Sequence, residues 1–112
     1  MAKGYQNKEV QYFSLTPVDG NVEVLYGGYC TIEKLVIIEV AIKVLKTIST
    51  DSTYILSGVP SVGGTNRTLS LYNAGIGAPF PSAMTRVFTS NIVSGKSMDV
   101  NDTYIIKGFY IL

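Results

Sequence analysis

The most informative hydrophobic pattern of the chain lies between residues 34 and 46. As a strand, this segment alternates between an unbroken apolar face and a mixed face. The apolar face consists of Val36, Ile38, Val40, Ile42 and Val44. As a helix, it makes a favourable i,i+4 pair of Glu39 and Lys43 on one side. Six β-branched residues, no N-cap and no glycine stop favour the strand over the helix.

Further strands are predicted by the same alternation. They span residues 22–32, 53–57, 68–72, 84–93 and 103–112. The first carries Gly27 and Gly28 in its middle, where a bulge or a close backbone approach is the ordinary explanation. The last has one largely apolar side, made by Tyr104, Ile106, Gly108, Tyr110 and Leu112. An apolar strand of this kind has to be paired within a sheet, because an exposed edge recruits other chains.

Short segments between frequent turn signals are typical of an all-β fold. We therefore predict an antiparallel β-sandwich of the jelly-roll type in residues 21–112. Residues 1–20 are predicted to form an N-terminal arm or an edge strand. A chain of 112 residues has the length of one domain with a real core. Its single cysteine, Cys30, is predicted to be a buried small hydrophobe, because it has no partner for an internal disulfide.

The composition indicates hidden surface. Hydrophobic residues make up 46% of the chain and charged residues only 15%, so a partner is expected to cover part of the surface. The mixed face of the 34–46 strand agrees with this, since it is largely apolar as well. Its candidate interface residues are Leu35, Ile37, Ala41 and Leu45. A homo-oligomer explains this surplus, and a central strand buried on both faces in a monomer explains it too.

Charge and targeting signals exclude several partners. The formal net charge of +1 gives no field that would attract nucleic acid. The apolar run at 35–45 contains Glu39 and Lys43 and is far shorter than the roughly 20 residues of a membrane span. The first residues lack the apolar core of a secretory signal. We expect neither membrane insertion nor export by the general pathway.

Candidate catalytic, metal and cofactor chemistry is weak. The chain has no histidine, which removes the commonest general base and metal ligand. The acidic residues that could form a glycosidase pair include Asp19, Glu23, Asp51, Asp99 and Asp102. All except Glu23 lie in or beside turns, where Asp usually hydrogen-bonds its own backbone. The glycines at 63–64 and 75–77 do not complete a phosphate-binding loop. The prediction is therefore no enzyme, no metal and no cofactor.

Sugar binding is the chemistry that the residue types do offer. Tyrosine rings near turns can stack on sugar rings, and Asn or Arg side chains can donate hydrogen bonds to hydroxyls. The candidate glycan-binding residues are Asn66, Arg67, Tyr72, Asn73 and Arg86. The plainer interpretation is that tyrosines near turns serve the core or an interface and that the arginines are solvated strand ends.

From Tyr26 onward, about three quarters of the chain resembles the C-terminal head domains of phage and prophage tail fibres. A Gly-Tyr strand at 28–32 feeds a Val/Ile strand at 35–38, and a Leu-x-Gly-x-Pro element follows at 56–60. A short strand at 69–72, a Ser/Gly turn at 94–97 and an aromatic terminal strand at 104–111 complete the order. Where such proteins often have a Gly-Asn hairpin, this chain has Glu33-Lys34.

The resemblance implies a trimeric β-sandwich that attaches a virion to a glycan or protein of the host surface. It implies a location in the virion tail after synthesis in the bacterial cytoplasm. Two alternatives stay open, a structural cap that trimerises a fibre without a ligand and a stand-alone carbohydrate-binding module. A small carbohydrate-degrading enzyme is a further hypothesis, which the few candidate carboxylates disfavour.

Overall fold

The computed structural model describes residues 12–49, 53–61, 67–74, 78–79, 85–95 and 97–112. Within these ranges the chain forms nine β-strands and no helix. The strands are β1 (Thr16–Pro17), β2 (Val22–Ile32), β3 (Leu35–Val44), β4 (Thr53–Ser57), β5 (Arg67–Asn73), β6 (Ala78–Pro79), β7 (Thr85–Phe88), β8 (Asn91–Ser94) and β9 (Thr103–Ile111). Every strand pair is antiparallel, and the prediction of an all-β fold is confirmed.

Strand β3 lies between β2 and β9 and pairs with both along nearly its whole length. The β2–β3 hairpin closes tightly, since Ile32 pairs with Leu35 and Glu33 takes a positive φ of 55° in the turn. The interpretation of residues 34–46 as a strand is therefore confirmed. Its second interpretation, an amphipathic helix, is wrong, because the apolar face is five alternating residues that all enter the core.

A β-bulge at Leu25 sets which side chains of β2 face inward. The register with β3 shifts between Val24 and Tyr26, so Leu25 is an extra residue on β2. Val24 and Tyr29 both pack against the core although they are an odd number of positions apart. Without the bulge, strict alternation would turn one of them to solvent.

The glycines at the centre of β2 allow the backbone on both sides of this strand to approach closely. A side chain at Gly27, where φ is 87°, would collide with the carbonyl oxygen of Glu39 on β3. A side chain at Gly28 would collide with the carbonyl oxygen of Phe13. The predicted close approach is confirmed, whereas the bulge itself lies two residues earlier, at Leu25.

The strands form one continuous sheet in the order β1-β4-β8-β7-β5-β9-β3-β2, with β6 paired to β5. Strand β5 turns the corner, because its first half pairs with β7 and its second half with β9. At the other end, Phe13 exchanges two backbone hydrogen bonds with Tyr29 of β2, at 2.7 and 3.1 Å, and Thr16–Pro17 pairs with β4. The sheet is thus nearly closed into a barrel. The jelly-roll sandwich and the trimer stay predictions.

The core fills the interior of this nearly closed sheet with aliphatic side chains from both halves. Its largest fully buried members are Ile38, Ile42, Ile48, Ile55, Leu56, Ile92, Met98 and Ile106. The last strand is paired within the sheet, as predicted, and the side that carries Tyr104, Ile106 and Tyr110 faces the core, whereas Leu112 is half exposed beyond the strand. Cys30 is buried, as predicted, and is not in a disulfide.

The prediction of a single strand over 84–93 is wrong. Within the described part of this segment, β7 and β8 pair with each other through a turn at Thr89 and Ser90. Thr89 takes a positive φ of 53°, which is unusual for a β-branched residue. Hydrogen bonds stabilise it, since its hydroxyl donates to the Phe88 carbonyl at 2.6 Å and accepts from the Asn91 amide at 3.0 Å. A Thr-Ser pair carries none of the usual glycine, asparagine or proline signals of a turn.

Tyr110 ties β9 to the segment after β4. Its side chain is 3% exposed, and its hydroxyl donates a 2.7 Å hydrogen bond to the carbonyl of Pro60. Burial, and to a lesser extent the neighbouring Tyr29, raises the pKa of Tyr110 from its ordinary value of 10.0 to about 12. The phenol is therefore a neutral hydrogen-bond donor over the whole physiological range.

Replacement of Gly27 by alanine is expected to destabilise the fold more than replacement of Gly20. Both glycines have a positive φ, but only Gly27 lies against backbone, because the nearest atom to a side chain at Gly20 is Lys46 Nζ at 3.9 Å. Gly20→Ala should cost about 1 kcal/mol for the left-handed conformation. Gly27→Ala should cost about 1–3 kcal/mol more for the overlap. Urea unfolding measures both, and equal losses would contradict the close approach of β2 and β3.

Alkaline pH is expected to destabilise the protein through Tyr110. A folded pKa of about 12 against 10.0 when unfolded means that the unfolded chain releases this proton first. The contribution of Tyr110 to stability is therefore fully present below about pH 10 and is lost between about pH 10 and 12. The pKa of Tyr104 is raised too, mainly by burial, so part of this decline is expected to remain in any single variant.

The variant Tyr110→Phe should lose about 1 kcal/mol of stability at neutral pH with the hydrogen bond to Pro60. Its stability should fall less steeply between about pH 10 and 12. Denaturant unfolding across this pH range measures both effects, with the exposed Tyr26→Phe as control. If stability falls equally steeply with pH in Tyr110→Phe, the pKa of this phenol is not higher in the folded protein than in the unfolded chain.

Candidate functional site

The outer face of the β2-β3-β9-β5 half of the sheet carries the candidate functional surface. On β3 this face consists of Leu35, Ile37, Glu39, Ala41 and Lys43, which alternate with the core residues. The strand pairing places residues of neighbouring strands beside these positions, so that they form rows across the face. One such row contains Tyr26, Ala41, Ile105 and Tyr72, and the next contains Gly28, Glu39, Lys107 and Ser70.

A shallow cleft of about 230 Å³ lies on this outer face where β5 ends beside β9. It is lined by Tyr72, Asn73, Ala74, Ile105 and Lys107. The cleft follows from the pairing, since Tyr72 lies directly opposite Ile105 and Asn73 opposite Tyr104. The chain then leaves β5, where the Ala74 N–H donates to the Thr103 carbonyl at 2.9 Å, and β6 returns against Tyr72 and Asn73. Its lining combines the apolar residues Ala74 and Ile105 with the polar residues Asn73 and Lys107.

Lys107 is held between an aromatic ring and a carboxylate. Its Nζ lies 5.9 Å from the centroid of the Tyr72 ring and 4.0 Å from Oε2 of Glu39. Both partners of this ion pair are about half exposed, so the pair adds little to stability. Its effect is on the cleft, because Glu39 offsets the positive charge that Lys107 brings there. The site presents an ammonium donor without a strong net field.

Two of the five candidate glycan-binding residues meet in this cleft. Tyr72 and Asn73 both line it. Arg67 is at the start of β5 opposite Val87, and Arg86 is opposite Thr68 and Val93 on the other half of the sheet, so neither lines the cleft. Asn66 lies outside the described residues. The structure therefore places two residues of the candidate set, Tyr72 and Asn73, in the lining of one cleft.

The four candidate interface residues divide in a similar way. Leu35, Ile37 and Ala41 share the outer face of β3, with Leu35 and Ile37 half buried and Ala41 buried. Leu45 follows the end of β3 and is 45% exposed. Their role in an interface stays a prediction, with Leu35 and Ile37 the best placed for it.

Sequence reasoning missed Ile105 and Lys107. Both belong to the second side of β9, which alternates with the inward-facing Tyr104 and Ile106. Their outward position could be predicted, because the same alternation that reveals two faces in β3 also separates the two sides of β9. Their proximity to Tyr72 could not, since it depends on the pairing of β5 with β9.

The described residues offer no evident metal chemistry. No group of three or more Cys, Asp or Glu side chains that would hold a metal ion is found among them. The lining of the cleft contains no Asp, Glu, Cys, Ser or Thr residue. In the described part of the chain, no helix is long and apolar enough to cross a membrane.

Comparison with known proteins adds no relative to these observations. The chain matched no protein-family model, no curated protein and no solved structure. The likeness to tail-fibre heads therefore stays a prediction from sequence order. We base the function on the geometry of the cleft and of the face around it.

Proposed function

We propose that this chain is a non-catalytic binding domain that recognises a glycan of the host cell surface, as the head domain of a phage tail fibre. The observation that supports it is the cleft, whose lining combines the aromatic residue Tyr72, the amide residue Asn73 and the cationic residue Lys107. These are the groups that sugar recognition needs, an aromatic face for the C–H surface of the ring and polar groups for its hydroxyls. The resemblance supplies the rest of the proposal, a homotrimer in the virion tail.

The dimensions and charge of the cleft narrow the ligand class. Pockets for drug-sized ligands have roughly 300–1,000 Å³, so a cleft of about 230 Å³ suits a single sugar unit of a longer chain. The ion pair with Glu39 offsets the charge of Lys107. A neutral sugar, whose hydroxyls accept from the ammonium and donate to the carboxylate, fits better than a strongly anionic one.

The same surroundings disfavour catalysis. Glycoside hydrolysis uses two carboxyl groups that flank the scissile bond at separations of roughly 5–10 Å. The carboxylate next to the cleft is Glu39, which forms an ion pair with Lys107. The lining supplies no second carboxyl group. Binding without turnover is the function that this arrangement supports best.

The variant Tyr72→Ala tests the proposal. It should weaken binding to the host-wall polysaccharide by at least about tenfold, or 1.4 kcal/mol, because it removes the stacking surface. Tyr72→Phe should keep most of the affinity, since it retains the ring. Thr68→Ala is the matched control, because Thr68 is exposed on the same side of β5 and lies outside the cleft.

Calorimetry with purified wall polysaccharide, after a glycan array has identified the preferred sugar, measures these affinities. Equal binding by the protein and Tyr72→Ala would place the contact elsewhere. An absence of binding to any host polysaccharide would contradict the proposal and favour the structural cap. Release of reducing ends during the titration would contradict the non-catalytic assignment.

A further inference from the structure

The outer face also carries an exposed apolar stripe, which consists of Ile32, Leu35, Ile37, Phe109 and Ile111. The pairing makes it continuous, since Leu35 lies between Ile32 and Ile111, and Ile37 lies between Cys30 and Phe109. Ile32, Phe109 and Ile111 are 59%, 69% and 63% exposed. No charged residue lies in these two rows. A sheet face of this composition is unusual on an isolated soluble domain.

The area of the stripe matches the centre of a protein interface. A large apolar side chain carries roughly 150–250 Å² of surface, so the exposed parts of the stripe amount to on the order of 400 Å². Stable interfaces cover about 800 Å² on each partner, and a little over half of that area is apolar. The stripe is therefore large enough for the apolar centre of a stable contact, provided that polar surface surrounds it.

The charges at the border of the stripe suit a second copy of the same chain. Glu39 and Lys107 form the adjacent row and carry opposite charges on neighbouring strands. In a closed ring of copies, Glu39 of one copy can face Lys107 of the next, so the border is complementary to itself. The net charge of +1 adds almost no repulsion between copies. A strongly acidic or basic partner would find no such match.

We infer that the apolar stripe packs against the same surface of neighbouring copies of this chain. This specifies the contact of the homotrimer proposed above and rests on the proposed function to that extent. The contact borders the sugar cleft, because Phe109 and Lys107 are two residues apart on the same side of β9, a distance of about 7 Å. Assembly thus leaves the cleft at the rim of the interface.

Light scattering of the purified chain tests the inference. The protein should have three times the chain mass of 12.1 kDa. The double variant Phe109→Thr with Ile111→Thr, which places a residue of high β-propensity at both positions of β9, should fall to one third of the wild-type mass. The matched control is Phe13→Thr with Leu25→Thr, which removes two exposed apolar residues outside the stripe and should keep the wild-type mass. A monomeric wild-type protein, or an assembly that survives the double variant, would overturn the inference.

Hydroxyl-radical footprinting of the unmodified protein gives a second measurement that needs no variant to fold. Oxidation of Phe109 should rise several-fold when the assembly is diluted to monomers, whereas oxidation of Phe13 should stay constant. Equal oxidation of Phe109 in both states would overturn the inference. A monomer that still binds polysaccharide contradicts this inference and the homotrimer but leaves the sugar-binding proposal intact. An assembly that binds none contradicts the sugar-binding proposal and leaves this inference intact.

Discussion

The structure depends on the pairing of β3 with two neighbours at once. Its backbone is hydrogen-bonded to β2 on one side and to β9 on the other, and its even-numbered residues from Val36 to Val44 are buried in the core. A strand in this position fixes the register of both neighbours, because a slip of one residue would turn its apolar face to solvent. The close approach at Gly27 adds a steric constraint to the same pairing. The stripe follows from this register, and the cleft depends in addition on the pairing of β9 with β5.

Much of the fold could be predicted from alternation alone. The strand at 34–46, the strand at 53–57 and the inward side of β9 are all local patterns of β-branched and aromatic residues. The bulge at Leu25 could not be predicted, because it depends on which residues of β3 lie opposite. The turn at Thr89 was missed because side-chain hydrogen bonds stabilise it, and neither of its two central residues is glycine, asparagine or proline.

The candidate site was half predictable for a related reason. Tyr72 and Asn73 are an aromatic residue and an amide at the end of a predicted strand, and residue type was enough to select them. Ile105 and Lys107 join them only because β9, which is distant in sequence, pairs with β5. Phe109 and Ile111 belong to an apolar stripe for the same reason, since they meet Leu35 and Ile37 across the β3–β9 ladder. Local patterns of residue type do not show which distant strands pair.

The proposed binding surface is the outer face of one half of the sheet, and β4 and β8 lie in the other half. NMR spectra of the backbone amides, recorded while host-wall polysaccharide is added, test this division most directly. We expect the largest shift changes at Tyr72, Asn73 and Lys107, and none in β4 and β8. Changes centred on β4 and β8, or no change at any amide, would contradict it.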